Sequence, residues 1–195
     1  MTLCTHGKSP LFGEIVDGEM VLNAVGKMVE HEILKTESIR DNIEIDKYVI
    51  MPNHVHLIIV IWPCTGTARR PEKHAVGANG RSPVNIANKT NRAHSCAPLH
   101  GSRFSLKPNT IGSFIAGFKS AATKRVNIFR NTPGQSLWQR NYYEHIIRDE
   151  MELNKIRRYI INNPPQWQYD RENRNGLPIN EKQKFWSKFL NEFID

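Results

Sequence analysis

The spacing of apolar residues changes period several times along this chain. From Glu19 to Lys35, the residues Met20, Val21, Ala24, Val25, Met28, Val29 and Ile33 recur three or four apart, which predicts a helix broken by Thr36 to Asn42. The runs from Ile43 to Met51 and from His54 to Trp62 are rich in β-branched residues. Pro52-Asn53 joins them as a hairpin turn. A second helix is expected from Thr110 to Arg130, with Ile111, Phe114, Ile115, Phe118, Ala122, Val126 and Phe129 as its buried stripe and Asn131-Thr-Pro-Gly134 as its stop. Tyr142 to Arg148 reads as a strand. Asp149, with Glu152 three residues on, caps a third helix that Pro164-Pro165 ends at Asn163. Met1 to Thr5 reads as a short strand, and Pro10 to Gly18 as a loop or weak hairpin. From Gln166 the chain is polar with aromatic anchors, and one more amphipathic helix is expected from Asn180 onward.

The resulting order is β-α-β-β-α-β-α. Its first six elements match a ferredoxin-like split βαβ sandwich, an α+β fold. Two helices would cover one face of an antiparallel sheet, leaving the other face for the third helix or a ligand. The expected organisation is a single domain over 1–167, with a basic insertion at 63–108 and a helical tail over 168–195. The insertion has no periodicity and is too long for an ordinary connection.

Charge sharpens this picture. The chain carries a net charge of +8. Between Pro63 and Pro108 there are eight basic residues, including Arg69, Arg70 and Arg81, against Glu72 alone. Such a segment suits a polyanion, and it equally suits a solvated insertion. Cys4, Cys64 and Cys96 are odd in number and unpaired by spacing, which points to a reducing cytoplasm rather than to a disulfide or zinc framework. No apolar run is long enough to cross a bilayer.

Two segments carry candidate chemistry. On a strand, residues i and i+2 share a face, so His54 and His56 present two imidazoles together while Val55 turns into the core. Two such imidazoles form half of a divalent metal site, although the spacing alone also fits ordinary polar residues on a half-exposed strand. On the third helix Tyr159 and Asn163 are four apart and share a flank. By itself that pattern also describes a tyrosine at the core edge. In combination with the histidines, a tyrosine oxygen is a nucleophile and an asparagine oxygen a third ligand. Mg²⁺ or Mn²⁺ suits such a site.

These residues carry a family resemblance. Met51-Pro-Asn-His-Val-His56 resembles the His-hydrophobic-His motif of single-tyrosine transposases. Leu137-Trp-Gln-Arg-Asn-Tyr-Tyr-Glu-His-Ile-Ile-Arg-Asp149 and Arg158-Tyr-Ile-Ile-Asn-Asn-Pro164 resemble the REP-associated branch of that family. The resemblance implies a transposase of mobile elements, a metal-dependent endonuclease and strand transferase. It acts in DNA recombination on single-stranded DNA beside hairpins through a 5′-phosphotyrosine intermediate. It implies His54 and His56 as metal ligands, Tyr159 as the catalytic nucleophile, and Asn163 as the third ligand. Tyr142 and Tyr143 rank below Tyr159, and His145 is assigned to structure or DNA contact. DNA contacts are expected from Arg69, Arg70, Arg81, Lys119, Lys124, Arg125, Arg140 and Arg148. Members work as homodimers or monomers. They usually carry a segment before the first strand, so Met1 falling inside that strand predicts a cost in pairing and DNA affinity. Two readings compete with a transposase. One is a non-catalytic DNA-hairpin-binding derivative; the other is a hydrolase with a water nucleophile, which requires carboxylates close to the histidines.

Overall fold

The structure is a computed structural model describing residues 1–62 and 110–191. It is α+β, as the apolar spacing predicts, and is compatible with a ferredoxin-like split βαβ arrangement. Strands β1 (Thr2–Cys4), β4 (Ile43–Met51) and β5 (His54–Ile61) form an antiparallel sheet in the order β1-β5-β4. The hairpin β4–β5 closes at Pro52-Asn53, pairing Met51 with His54 and Ile50 with Val55. A register irregularity between Ile45 and Lys47 leaves Asp46 outside regular pairing.

Alternation along β5 divides the sheet into two faces. Val55 and Leu57 enter the core with Leu3 and Ile50. Helices α1 (Ala24–Ile39) and α2 (Ile111–Arg130) cover this face through Val29, Ile33, Phe114, Phe118, Ala122 and Val126. His54 and His56 turn the other way, toward helix α3 (Glu150–Asn162). Asp149 caps α3 as expected, accepting from the Glu152 amide at 2.8 Å. Arg157 ties α3 to β4: Nε donates to Asp46 Oδ2 at 2.9 Å and Nη2 to Oδ1 at 2.6 Å. Helix α4 (Ile179–Asn191) folds back so that Trp186 Nε1 donates to the Tyr169 carbonyl at 3.0 Å. No described helix is long and apolar enough to cross a membrane. The insertion expected at 63–108 lies outside the described residues.

Four expectations are corrected. The helix expected from Glu19 begins instead at Ala24 and runs to Ile39. Glu19–Leu22 is a strand, β3, paired with β2 (Gly13–Val16). Asp17 and Gly18 both have positive φ (50° and 80°), the backbone of a tight two-residue hairpin turn. Asn23 then sets the helix start, its Oδ1 accepting from the Val25 and Gly26 amides at 2.9 and 3.0 Å. Second, α1 continues through Lys35 rather than breaking at Thr36. The Thr36 hydroxyl donates to the Glu32 carbonyl at 2.8 Å and so stays within the helical pattern.

Third, Tyr142 to Arg148 forms no strand. Only isolated bridges, Thr2 with Tyr143 and Thr5 with Trp138, flank the free side of β1. The Lys119 ammonium takes the carbonyls of Gln139, Arg140 and Asn141 at 2.7, 3.5 and 3.4 Å. Tyr143 and Ile146 are 63% and 76% exposed, so no face of the segment is buried to enforce strand alternation. The segment still runs along the outer side of β1, the edge strand of the sheet. Fourth, Phe129 is 56% exposed. It lies beyond Val126, the last position that α2 buries.

Replacing Asn23 with alanine should lower unfolding free energy by about 1 kcal/mol, because two helix-start amides lose their acceptor. Urea denaturation reads the loss, and Asn23→Asp should restore most of it. A loss confined to Asn23→Asp would contradict the cap.

Candidate metal centre

β5 brings His54 and His56 to one place, and neither imidazole is free to turn. The side-chain amide of Asn53 donates to the carbonyls of Lys8 and Glu172 at 3.2 and 2.9 Å, which fixes which end of that amide is nitrogen. Asn53 Oδ1 is therefore an acceptor, and it meets His54 Nδ1 at 2.8 Å. His54 must carry its proton on Nδ1 and present a bare lone pair on Nε2. His56 Nδ1 meets Thr2 Oγ1 at 2.9 Å, a hydroxyl able to donate or accept. The two Nε2 atoms then face each other at 2.8 Å in a buried setting. Something positive must lie between them: a proton on His56, or a cation bound to both lone pairs. A histidine held through Nδ1 by a carbonyl or hydroxyl is the usual posture of a metal ligand.

Asp170 supplies the third donor. Its Oδ2 lies 3.8 Å from His54 Nε2 and 3.7 Å from His56 Nε2. Three atoms with these separations share a point about 2.0 Å from each, the bond length from imidazole nitrogen or carboxylate oxygen to a first-row divalent ion. His54, His56 and Asp170 are all buried, and together they can hold a metal ion. Asp170 is itself held in place, Oδ1 accepting from the Glu172 amide at 2.6 Å.

Helix α3 completes the arrangement. The Tyr159 hydroxyl donates to Asp170 Oδ2 at 2.9 Å and lies 3.3 Å from His56 Nε2. Its ring meets the His56 ring edge-on at 5.0 Å and the Trp186 ring at 4.5 Å. Asn163 is fully buried and reaches the site through its amide nitrogen, which donates to Asp170 Oδ2 at 2.9 Å. The oxygen expected to bind metal, Asn163 Oδ1, is buried without a hydrogen-bond partner among the described residues. The carboxylate draws the amide N–H toward itself. Asp170 thus takes the third-donor place that the sequence suggested for Asn163, and Asn163 positions Asp170.

Electrostatics follow from burial. Burial and the neighbouring His56 push the His54 pKa down to about 3, so it is neutral at ordinary pH. Asp170 is pulled below the usual carboxylate range: burial opposes its charge, but His56 and the other partners stabilise it more. Burial, then the Asp170 charge, raises Tyr159 above the ordinary phenol value.

The other sequence candidates are scattered. Tyr142 and Tyr143 are exposed, and neither hydroxyl touches the histidines. His145 pairs with Glu152 at 2.6 Å. Arg125 Nε pairs with Glu32 at 2.6 Å across α1 and α2, and its side chain stays 40% exposed. Arg148 is exposed at the entry to α3. Lys119, Lys124 and Arg140 line one groove. Arg69, Arg70 and Arg81 lie outside the described residues. Asp170 was missed because it follows the Pro164-Pro165 break, past the boundary expected at 167. Only the Trp167–Tyr169 turn, seen in three dimensions, brings it back beneath α3.

No family model matches the chain. It is 35% identical over 170 residues to a protein of Haemophilus influenzae (strain ATCC 51907 / DSM 11121 / KW20 / Rd) described as uncharacterized, covering 87% of this chain and 81% of that one.

Because His54 is held neutral, the unfolded state binds more protons below the ordinary histidine pKa, and stability should fall as pH drops from about 6.5 toward 3. Asp170, with its lowered pKa, acts in the same direction at the acid end. With metal chelated, urea denaturation from pH 7 to pH 4 should show this loss, and His54→Gln should flatten it. An equal slope in His54→Gln would show that His54 is not the group responsible.

Proposed function

The chain belongs to the family of that Haemophilus influenzae protein, and we propose that it is a DNA transposase: a divalent-metal-dependent endonuclease and strand transferase with a tyrosine nucleophile. The observation that carries this reading is the position of the Tyr159 oxygen, in contact with both His56 Nε2 and Asp170 Oδ2 within one chain. A phenol beside three convergent metal donors is a nucleophile placed where a phosphate can be neutralised and attacked. Assembly within one chain suits a protomer that acts without borrowing a partner's helix.

His54, His56 and Asp170 would hold the ion. Mg²⁺ or Mn²⁺ suits oxygen chemistry on phosphate, and the imidazole pair favours Mn²⁺ in affinity. When bound, the ion supplies positive charge to the non-bridging oxygens of the scissile phosphate. Tyr159 Oη forms a bond to phosphorus and the bond from phosphorus to the 3′ oxygen breaks. The phenolic proton leaves as the bond to phosphorus forms, and a proton is taken up by the leaving 3′ oxygen, so that the step balances. The products are a 5′-phosphotyrosine link and a free 3′-hydroxyl. Burial and the Asp170 charge disfavour the phenolate. Asn163 keeps Asp170 Oδ2 aimed at the reacting oxygen.

The reading agrees with the basic composition, and its substrate is single-stranded DNA next to a hairpin, met in the cytoplasm. A second reading, a hydrolase with a water nucleophile, gains from Asp170, because it requires a carboxylate near the histidines.

Incubated with Mn²⁺ and hairpin DNA bearing a single-stranded flank, the protein should form a covalent adduct stable on a denaturing gel. Tyr159→Phe should abolish adduct and cleavage together. Asp170→Asn should lower the rate at least about a hundredfold, through a lost ligand and a lost hydrogen-bond acceptor for Tyr159. Cleavage that survives in Tyr159→Phe would select the water hydrolase. DNA binding with no cleavage on any hairpin would select the non-catalytic binding protein.

A further inference from the structure

Two of the three metal donors lie on β5. The third, Asp170, lies on neither strand nor helix. It sits between α3 and α4, in a stretch whose regular structure is the three-residue turn Trp167–Tyr169. A ligand on such a stretch keeps its place through the groups packed behind it. From α3, Tyr159 and Asn163 hold Asp170 Oδ2. From the side of the sheet, the contacts converge on Glu172, a carboxylate outside the set of three donors.

Glu172 meets three separate parts of the protein. Its amide donates to Asp170 Oδ1 at 2.6 Å. Its carbonyl accepts from the Asn53 side-chain amide at 2.9 Å. Its carboxylate Oε2 takes the Lys8 ammonium at 2.6 Å and the Cys4 thiol at 3.4 Å. The two backbone contacts complete a circuit. Asn53 turns its oxygen to His54 Nδ1 and its nitrogen to the Glu172 carbonyl, and the Glu172 amide holds Asp170. The ends of the circuit are two metal donors, His54 Nε2 and Asp170 Oδ2, 3.8 Å apart. Backbone contacts need no particular side chain at position 172. The carboxylate adds an anchor on β1 and on the turn after it.

The other end of that anchor is fixed as well. Lys8 holds a φ of 54°, in the left-handed region that lysine rarely adopts. Such a conformation persists where surrounding contacts enforce it. The Asn53 amide donates to the Lys8 carbonyl at 3.2 Å as well as to that of Glu172, so one side chain clamps both members of the ion pair. The Lys8 and Glu172 side chains are 29% and 16% exposed, and an ion pair with this much solvent contact adds little to stability. Its reach to the metal centre is short, because Arg171 alone separates the two carboxylates in the chain. We propose that Glu172, anchored by Lys8, is a positioning residue of the metal centre: it sets the Asp170 carboxylate at the spacing from the two imidazoles that a divalent ion requires. The proposal rests on the metal-dependent reading of the centre, and not on the identity of the substrate.

The test is Mn²⁺ binding to the metal-free full chain, followed by isothermal titration calorimetry without DNA. Charge and position predict opposite signs for one variant. Lys8→Met removes a positive charge from the edge of the centre, so by Coulomb attraction alone Mn²⁺ would bind more tightly. Acting through Glu172, the same change should weaken Mn²⁺ binding about tenfold. Glu172→Gln should show a similar loss, and the double variant should lose little more than either single one. Lys8→Arg keeps the pair and should restore most of the affinity. Melting temperatures of the metal-free variants should stay within about 4 °C of wild type, as a minor ion pair allows. Lys27→Met, exposed on α1, is the control for charge removal and should leave the affinity within about twofold. Tighter or unchanged binding in Lys8→Met, additive losses, an equal loss in Lys27→Met, or no Mn²⁺ binding by wild type would each overturn the proposal. The expected losses with no DNA adduct from wild type would remove the transposase reading and leave the positioning role standing. An adduct from wild type with unchanged Mn²⁺ binding in both variants would do the reverse.

Discussion

A single buried carboxylate oxygen, Asp170 Oδ2, ties the functional face together. It accepts from Tyr159 and Asn163 on α3 and faces both imidazoles of β5. A buried charge with no partners would be strongly destabilising, so these groups must stay around it for the fold to persist. The same requirement orients the phenol and closes the set of metal donors. It also anchors the chain beyond Pro164-Pro165, because Asp170 reaches the site only if the Trp167–Tyr169 turn and the packing of α4 bring it there.

The sheet makes this economical. Strand alternation sends Val55 and Leu57 into the core under α1 and α2, and His54 and His56 to the opposite face. Core packing therefore holds the imidazoles without taking part in their chemistry. Orientation comes from outside the strand: Asn53 in the turn fixes His54, and Thr2 on β1 meets His56. The hydroxyl of Thr2 accommodates either tautomer of His56. The site can thus hold a proton or a cation between its two Nε2 atoms without moving backbone. Arg157 on Asp46 keeps α3 on this face, so Tyr159 arrives from the same chain.

Much of this was legible in the chain. The hairpin, its turn at Pro52-Asn53, the burial of Phe114 to Val126 and the Asp149 cap follow from local period and capping chemistry, which need no distant partner. The failures are those of competing local signals. Met20 and Val21 fit both a helical period and the short hairpin β2–β3, and only the Asp17-Gly18 turn and the Asn23 cap separate the two. Tyr142 to Arg148 has strand-like residues but lacks a buried face and has lost nearby carbonyls to Lys119. The pairing of Arg125 with Glu32 was not legible because the two are distant in sequence.

Sequence alone determined the α+β class, the shared face of His54 and His56, and the flank that carries Tyr159 and Asn163. Those properties depend on periods of two and of three to four residues, which any reader of the chain can count. Tertiary structure decided that Asn163 turns its nitrogen inward, that Asp170 joins the two histidines in a group able to hold a metal ion, and that Lys124 and Arg140 lie in one groove. These depend on which distant groups come within hydrogen-bonding distance, and on the cost of burying a charge or lone pair without a partner. Neither is written in local spacing.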